Sequence, residues 1–152
     1  MNKTETQALW RALCACTCKP GVNAPFDCVT VHGRVVYATN SYVMHRVEGL
    51  YQPGSVFKAL YGRSIAYMDR AHAFDRILSY EPDSFDFSGV CSYYDPAVIA
   101  LALRPHKAAG SKNMEFRPGK GNGFAPLIIT STIATPHDPI IITTAVQGMR
   151  KA

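Results

Sequence analysis

The chain has 152 residues, 47% of them hydrophobic, and it carries 16 Lys and Arg against 11 Asp and Glu. This length and composition predict one globular domain with its own core and exclude a disordered chain. No apolar run reaches the roughly 18–20 residues of a membrane span, and the N-terminus lacks a signal-peptide core. We therefore expect a cytoplasmic protein with reduced cysteines. The net charge of +5 is compatible with a polyanionic partner, or with a domain that is merely basic.

The first predicted element is an amphipathic helix that begins near Thr4 and runs to about Lys19. Thr4 and Gln7 have the spacing of a capping box. An apolar stripe follows at helical spacing: Leu9, Ala12, Leu13 and Cys16. Pro20 and Gly21 are predicted to end the helix.

Three cysteines, Cys14, Cys16 and Cys18, alternate along this predicted helix. Zinc knuckles space their cysteines by two to four residues and occur in pairs. Neither Cys28 nor Cys91 belongs to a second pair of cysteines at this spacing. We therefore expect free thiols, no metal and no other cofactor.

A β-hairpin and a third strand are predicted over residues 29–48. β-branched and aromatic residues at 29–31 and 34–38 favour strands. The pair His32 and Gly33 is predicted to form the tight turn, because glycine supplies a positive φ. Residues 39–41 form a second turn, and residues 42–48 form the third strand.

The second half of the chain repeats this order after an interruption. Residues 50–89 are interpreted as an inserted excursion, with helical patterns at 56–61 and from 65 to 78. A second helix is predicted from Asp95, its N-cap, through Pro96 at the first helical position to Pro105. Strands are predicted at 113–117, 124–132 and 139–146.

Each half of the chain is thus one amphipathic helix followed by an antiparallel ribbon. Two such halves can join their sheets and pack both helices on one face. The predicted fold is α+β, a single domain over residues 1–152 made of two helix-plus-antiparallel-sheet halves with both helices on one face.

Three segments resemble the bacterial DNA sliding clamp, the β subunit of DNA polymerase III. Residues 35–48 (VVYATNSYVMHRVE) resemble the clamp stretch Val-Ala-Thr-Asp-Gly-His-Arg-Leu-Ala. Residues 94–103 (YDPAVIALAL) resemble the junction between a strand and the second helix of a clamp domain. Residues 140–150 (IIITTAVQGMR) resemble the closing strand of the clamp, which ends in Val-Met-Pro-Met-Arg-Leu. The order and spacing of all three segments carry the resemblance, which leaves the excursion unmatched.

The resemblance implies a non-enzymatic protein of DNA replication or maintenance, with DNA and replication proteins as partners. Clamp helices meet the DNA backbone, which implies DNA contacts from cations on or beside the two predicted helices: Lys3, Arg11, Lys19, Arg104 and Lys107, with His106 between the last two. The clamp's groove for short peptide motifs implies a second site lined by Thr39, Tyr42, Val43, Met149 and Arg150.

The sequence departs from the clamp in several places. The family's Asp-Gly-His-Arg is Asn40-Ser41-Tyr42-Val43 here, and the proline of Met-Pro-Met-Arg-Leu is missing from residues 147–151. A clamp chain has three such domains, whereas this chain has one. A ring of this chain would therefore be a homo-oligomer of about six subunits joined head to tail.

Two alternatives remain open at this stage. One is a monomeric adaptor or competitor from a mobile element that uses a clamp-like fold to bind replication proteins without binding DNA. The other is an enzyme with a Cys/His pair, although the sequence has no local signature of a hydrolase. The glycine-rich loop at 117–123 also departs from the phosphate-binding P-loop pattern, so we expect it to be a hairpin turn.

Overall fold

The computed structural model describes residues 1–19, 21, 26–51, 65–67, 75, 93–118 and 126–148. They form two helices and a seven-stranded sheet. The helices are α1 (Lys3–Ala15) and α2 (Pro96–Ala108). The strands are β1 (Val29–His32), β2 (Val35–Thr39), β3 (Val43–Glu48), β4 (Ile65–Tyr67), β5 (Glu115–Pro118), β6 (Leu127–Ile133) and β7 (Ile140–Val146).

The sheet consists of two antiparallel ribbons joined at their last strands. Its order is β4-β1-β2-β3-β7-β6-β5, and only β4 pairs in parallel, with β1. The ribbons β1-β2-β3 and β5-β6-β7 meet where β3 and β7 pair antiparallel, from Val43 opposite Val146 to Glu48 opposite Ile141. Because equivalent strands pair antiparallel, the two halves are related by an approximate two-fold axis perpendicular to the sheet.

Both helices pack on the same face of this sheet. The facing positions of neighbouring strands are in register, as in Val36 opposite Val47 and Val47 opposite Ile142, and these three side chains are fully buried. α1 shares its core cluster with β1 and β2, α2 contacts β3 and β7, and the helices contact each other. The predicted α+β arrangement with both helices on one face is confirmed.

Helix α1 begins and ends earlier than predicted. Its N-cap is Asn2 rather than Thr4, because Asn2 and Glu5 form the capping box. Asn2 Oδ1 accepts the Glu5 N–H at 2.8 Å, and Glu5 Oε2 accepts the Asn2 N–H at 2.8 Å. The last helical residue is Ala15 rather than Lys19, with Cys16 as C-cap.

Helix α2 begins as predicted but extends beyond its predicted end. Asp95 Oδ1 accepts the Ala97 N–H at 2.8 Å, and Pro96 follows the cap. The helix then continues through Pro105 to Ala108. Proline has no N–H to donate to the carbonyl four residues earlier, and here the Cys16 thiol donates to that carbonyl, Leu101 O, at 3.8 Å.

The six strands predicted outside the excursion are confirmed to within a few residues, with two corrections. The β1–β2 turn consists of Gly33 and Arg34 rather than His32 and Gly33, and Gly33 has a φ of 60°. The segment predicted to begin a helix at Ile65 instead forms β4, where β-branched and aromatic side chains suit a strand. The helical pattern at 56–61, most of the excursion and residues 119–123 lie outside the described residues.

Candidate nucleic-acid interface

All five cations predicted to contact DNA are exposed in the structure. Lys3 and Arg11 lie on α1, Arg104 and Lys107 lie on α2, and Lys19 follows α1. None of the ion pairs found within the described part of the chain involves any of them. Their charges therefore face solvent on the helical layer.

Arg11 and Arg104 occupy the same position in the two halves. Each is the ninth residue of a 13-residue helix that begins at Lys3 or at Pro96. Both are exposed, whereas the adjacent Trp10 and Pro105 are buried against the core. The internal two-fold arrangement therefore places one arginine from each half on the outer side of the helical layer.

Acidic residues on the helices do not neutralise this layer. Among the described residues of the two helices and their N-caps, the only carboxylates are Glu5 and Asp95, and both accept capping hydrogen bonds. Lys107 lies in the last turn of α2, where the helix dipole favours a cation. Cations thus outnumber carboxylates on the helices and their N-caps, and an excess of positive charge favours polyanions.

The opposite face of the sheet carries a paired polar cluster instead. Arg46 Nε lies 3.1 Å from Asp75 Oδ1, and Arg46 Nη1 lies 3.4 Å from Glu48 Oε2. Tyr37 Oη donates to both Asp75 oxygens at 3.0 Å, and burial raises the pKa of Tyr37. Asp75 lies within residues 50–89, and this cluster holds it on the face of the sheet away from the helices.

A buried hydrogen-bonded chain lies between α2 and the junction of the two halves. His106 Nδ1 is 2.6 Å from Ser131 Oγ, and His106 Nε2 is 2.8 Å from Thr144 Oγ1. Thr144 Oγ1 is also 2.7 Å from His45 Nδ1. All four side chains are at most 3% exposed. We name these four residues the histidine network.

Burial keeps both histidines of the network neutral. It lowers the pKa of His106 to about 4 and that of His45 to about 3, and the neighbouring His106 contributes to the shift at His45. The expectation that His106 stands with the exposed cations at the end of the second helix is therefore wrong. Strand alternation could have placed His45, because it alternates with the buried Val43 and Val47, but no local signal identified His106.

The two segments predicted to form a peptide groove do meet in the structure. The Gln147 N–H donates to Tyr42 O at 3.0 Å, just beyond the pairing of Val43 with Val146. Tyr42 is 62% exposed, whereas Thr39 is 7% and Val43 0% exposed. Of these three residues, only Tyr42 therefore has a largely exposed side chain. Met149 and Arg150 lie outside the described residues.

The cysteines behave as separate thiols. Cys14, Cys16, Cys18 and Cys28 form no disulfide bonds, and burial raises the pKa of Cys16 to about 12. Within the described ranges, no group of three or more His, Cys, Asp or Glu side chains could hold a metal ion. No helix among those residues is both long enough and apolar enough to cross a bilayer.

No protein-family model, curated protein or solved structure matches the chain. The α+β class rests on the structure itself, and the relationship to sliding clamps stays a proposal.

Proposed function

We propose that the protein is a non-enzymatic, clamp-like module of DNA replication or maintenance that binds the DNA backbone through its helical layer. The observation that carries the proposal is the set of exposed cations centred on Arg11 and Arg104, none of which forms an ion pair with another described residue. Contacts of such cations with phosphates are independent of base sequence and weaken as salt is added.

The positions of the clamp-like segments in the fold support the same proposal. Residues 35–48 form β2 and β3, residues 94–103 include the start of α2, and residues 140–150 include β7. β3 and β7 pair with each other, and α2 contacts both. The three segments that resemble the clamp are therefore neighbours at the junction of the two halves.

The test compares two variants that each lose two exposed cations. Arg11→Ala with Arg104→Ala removes the two equivalent arginines of the helical layer. Arg34→Ala with Lys112→Ala, the matched control, removes exposed cations from turns outside the helices. Fluorescence anisotropy with a short labelled duplex at low salt should show about tenfold or greater weakening for the first variant and little change for the control. Equal weakening by both variants, or by neither, would contradict the proposal.

A second candidate function is the docking of replication proteins at the peptide groove. Two observations favour it. The Tyr42 side chain is exposed, and the Tyr42 carbonyl accepts a hydrogen bond from the Gln147 N–H, which brings the two predicted segments together. Tyr42→Ala should abolish binding of a peptide of the kind that bacterial clamps recognise, measured by fluorescence polarisation. Tyr93→Ala removes another exposed tyrosine, 41% exposed, and should leave peptide binding intact. If the unaltered chain shows no saturable binding of such a peptide, this second function is excluded. The predicted homo-oligomeric ring stays a prediction, which light scattering of the pure protein can decide.

A further inference from the structure

The histidine network joins one element of the helical layer to strands from both halves of the sheet. His106 comes from α2, Ser131 from β6, Thr144 from β7 and His45 from β3. His45 and Thr144 are directly opposite each other in the β3–β7 ladder. The network therefore fastens α2 at the place where the two ribbons are joined.

Hydrogen-bond counting assigns a direction to the network. His45 Nε2 is buried and has no hydrogen-bond partner among the described residues. A buried lone pair without a partner costs less than a buried N–H without one, so His45 carries its proton on Nδ1 and donates it to Thr144. The Thr144 hydroxyl then donates to His106 Nε2, and His106 Nδ1–H donates to Ser131.

Neither histidine can accept a further proton without cost. A proton added to His45 would sit on Nε2, for which the described part of the chain offers no acceptor. A proton added to His106 Nε2 would displace the hydroxyl proton that Thr144 now donates to it. In either case a positive charge would be buried among hydroxyl groups and apolar side chains.

Among the described residues, no acidic side chain faces the network to offset such a charge. The helix-facing positions of β3, β6 and β7 carry no titratable side chain apart from His45. α1 contributes the neutral thiol of Cys16, which lies against Leu101 of α2. The charged residues of α2 itself are Arg104 and Lys107, exposed cations that repel a further positive charge.

The two helices depend on this network to different degrees. α1 buries Leu9, Trp10, Ala12 and Leu13, which are all apolar. The buried residues of α2 are Ala102, Pro105 and His106. Because the network includes a residue of α2 and none of α1, protonation weakens the docking of α2 more than that of α1.

We propose that the histidine network is an acid-sensitive latch that holds α2 on the sheet, so that acidification releases α2 before the α1 half unfolds. The inference is independent of the proposed function. In the folded protein the pKa of each histidine lies below the usual 6.5. Between pH 6.5 and that lower value, each histidine therefore binds more protons in the unfolded chain than in the folded protein. The stabilisation is therefore complete above about pH 6.5 and is lost as the pH falls toward about 4 for His106 and about 3 for His45.

The test follows the two helices separately in one acid titration of the full chain. Trp10 is the only tryptophan and is 1% exposed, so its fluorescence reports on the α1 half. Hydrogen exchange with mass spectrometry, corrected for intrinsic rates, reports on amides of residues 96–108. We expect α2 amides to lose protection at a pH at least one unit above the midpoint of the Trp10 change. Coincident loss of both signals would overturn the proposal.

Two substitutions tie the result to the network. His106→Gln keeps a neutral donor and acceptor, and it should remove the early loss of α2 protection. His137→Gln, which alters an exposed histidine in a turn, should leave the wild-type order unchanged. If His106→Gln does not fold, Ser131→Ala provides the second variant and should shift the release of α2 to higher pH. An unchanged α2 transition in the folded variant would also overturn the proposal.

Discussion

Cys16 and Leu101 form a contact that allows helix α2 to contain a proline. Leu101 O is the carbonyl that would normally accept from residue 105, and Pro105 has no N–H to offer it. The Cys16 thiol lies 3.8 Å from this oxygen, and burial raises the pKa of the thiol to about 12, so it keeps the proton that it donates. The C-terminal end of α1 thus stabilises the middle of α2.

This contact predicts energetic coupling between Cys16 and Pro105. Cys16→Ala removes the thiol donor to Leu101 O from a helix in which Pro105 cannot supply one, whereas Pro105→Ala supplies a backbone N–H for that oxygen. We expect Cys16→Ala to cost roughly 0.5–1 kcal/mol less in the Pro105→Ala background than in the wild type. Urea unfolding of the four proteins measures this difference. Cys18→Ala, whose thiol bonds Thr39 O instead, is the control and should show no coupling. Additive effects of Cys16→Ala and Pro105→Ala would refute the assignment.

The same burial predicts that the cysteines differ in reactivity. The thiolate is the form that alkylating reagents attack, and a pKa of about 12 leaves almost none of it on Cys16 at pH 8. Cys14, Cys18 and Cys28 are only partly buried. Iodoacetamide followed by peptide mass spectrometry should modify these three well before Cys16. Modification of Cys16 at the same rate in the folded protein would contradict the buried position.

Gly49 is predicted to be intolerant of any side chain. It has a φ of 82°, and a Cβ there would collide with the carbonyl oxygen of Pro139, the residue before β7. Gly110 has a similar φ of 71° but open space around it. In chemical denaturation, Gly110→Ala should cost roughly 1–2 kcal/mol from backbone strain alone, and Gly49→Ala clearly more. Equal costs for the two variants would show that the Pro139 contact is unimportant.

Asp75 is predicted to hold the excursion on the sheet. Its carboxylate accepts from Tyr37 and pairs with Arg46, and Asp75→Asn removes the charge that both partners use. We expect a loss of about 1 kcal/mol in the free energy of unfolding, because the site is only partly buried. Asp138→Asn, at an exposed turn position, should be neutral in the same assay. If Asp75→Asn proves equally neutral, the contact does not anchor the excursion.

Local chemistry in the sequence was enough to predict much of the fold. Asp95 followed by Pro96 marked the start of α2, and alternating β-branched residues marked six strands, because caps and strand patterns depend on nearby residues. The end of α2 could not be predicted, since the donor that replaces Pro105 comes from Cys16, far away in the chain. His106 illustrates the same limit, because its burial depends on Ser131 and Thr144.

The candidate interface was predictable in part for the same reason. Lys and Arg at positions between the apolar residues of a helix are usually exposed. Arg11 and Arg104 are both exposed in the structure. Their equivalence in the two halves needed the β3–β7 pairing, which the sequence does not specify. That Tyr42 and Gln147 are neighbours also depended on the fold, because the bond between them continues the pairing of β3 with β7.

The most direct test of the account is a salt titration of DNA binding by the full chain. Phosphate contacts release counterions, so the logarithm of the affinity should fall linearly with the logarithm of the salt concentration. With up to five exposed cations on the helical layer, the slope for duplex DNA should lie at roughly −2 to −4.5. A slope near zero, or no binding to duplex or single-stranded DNA at low salt, would contradict DNA-backbone binding by the helical layer.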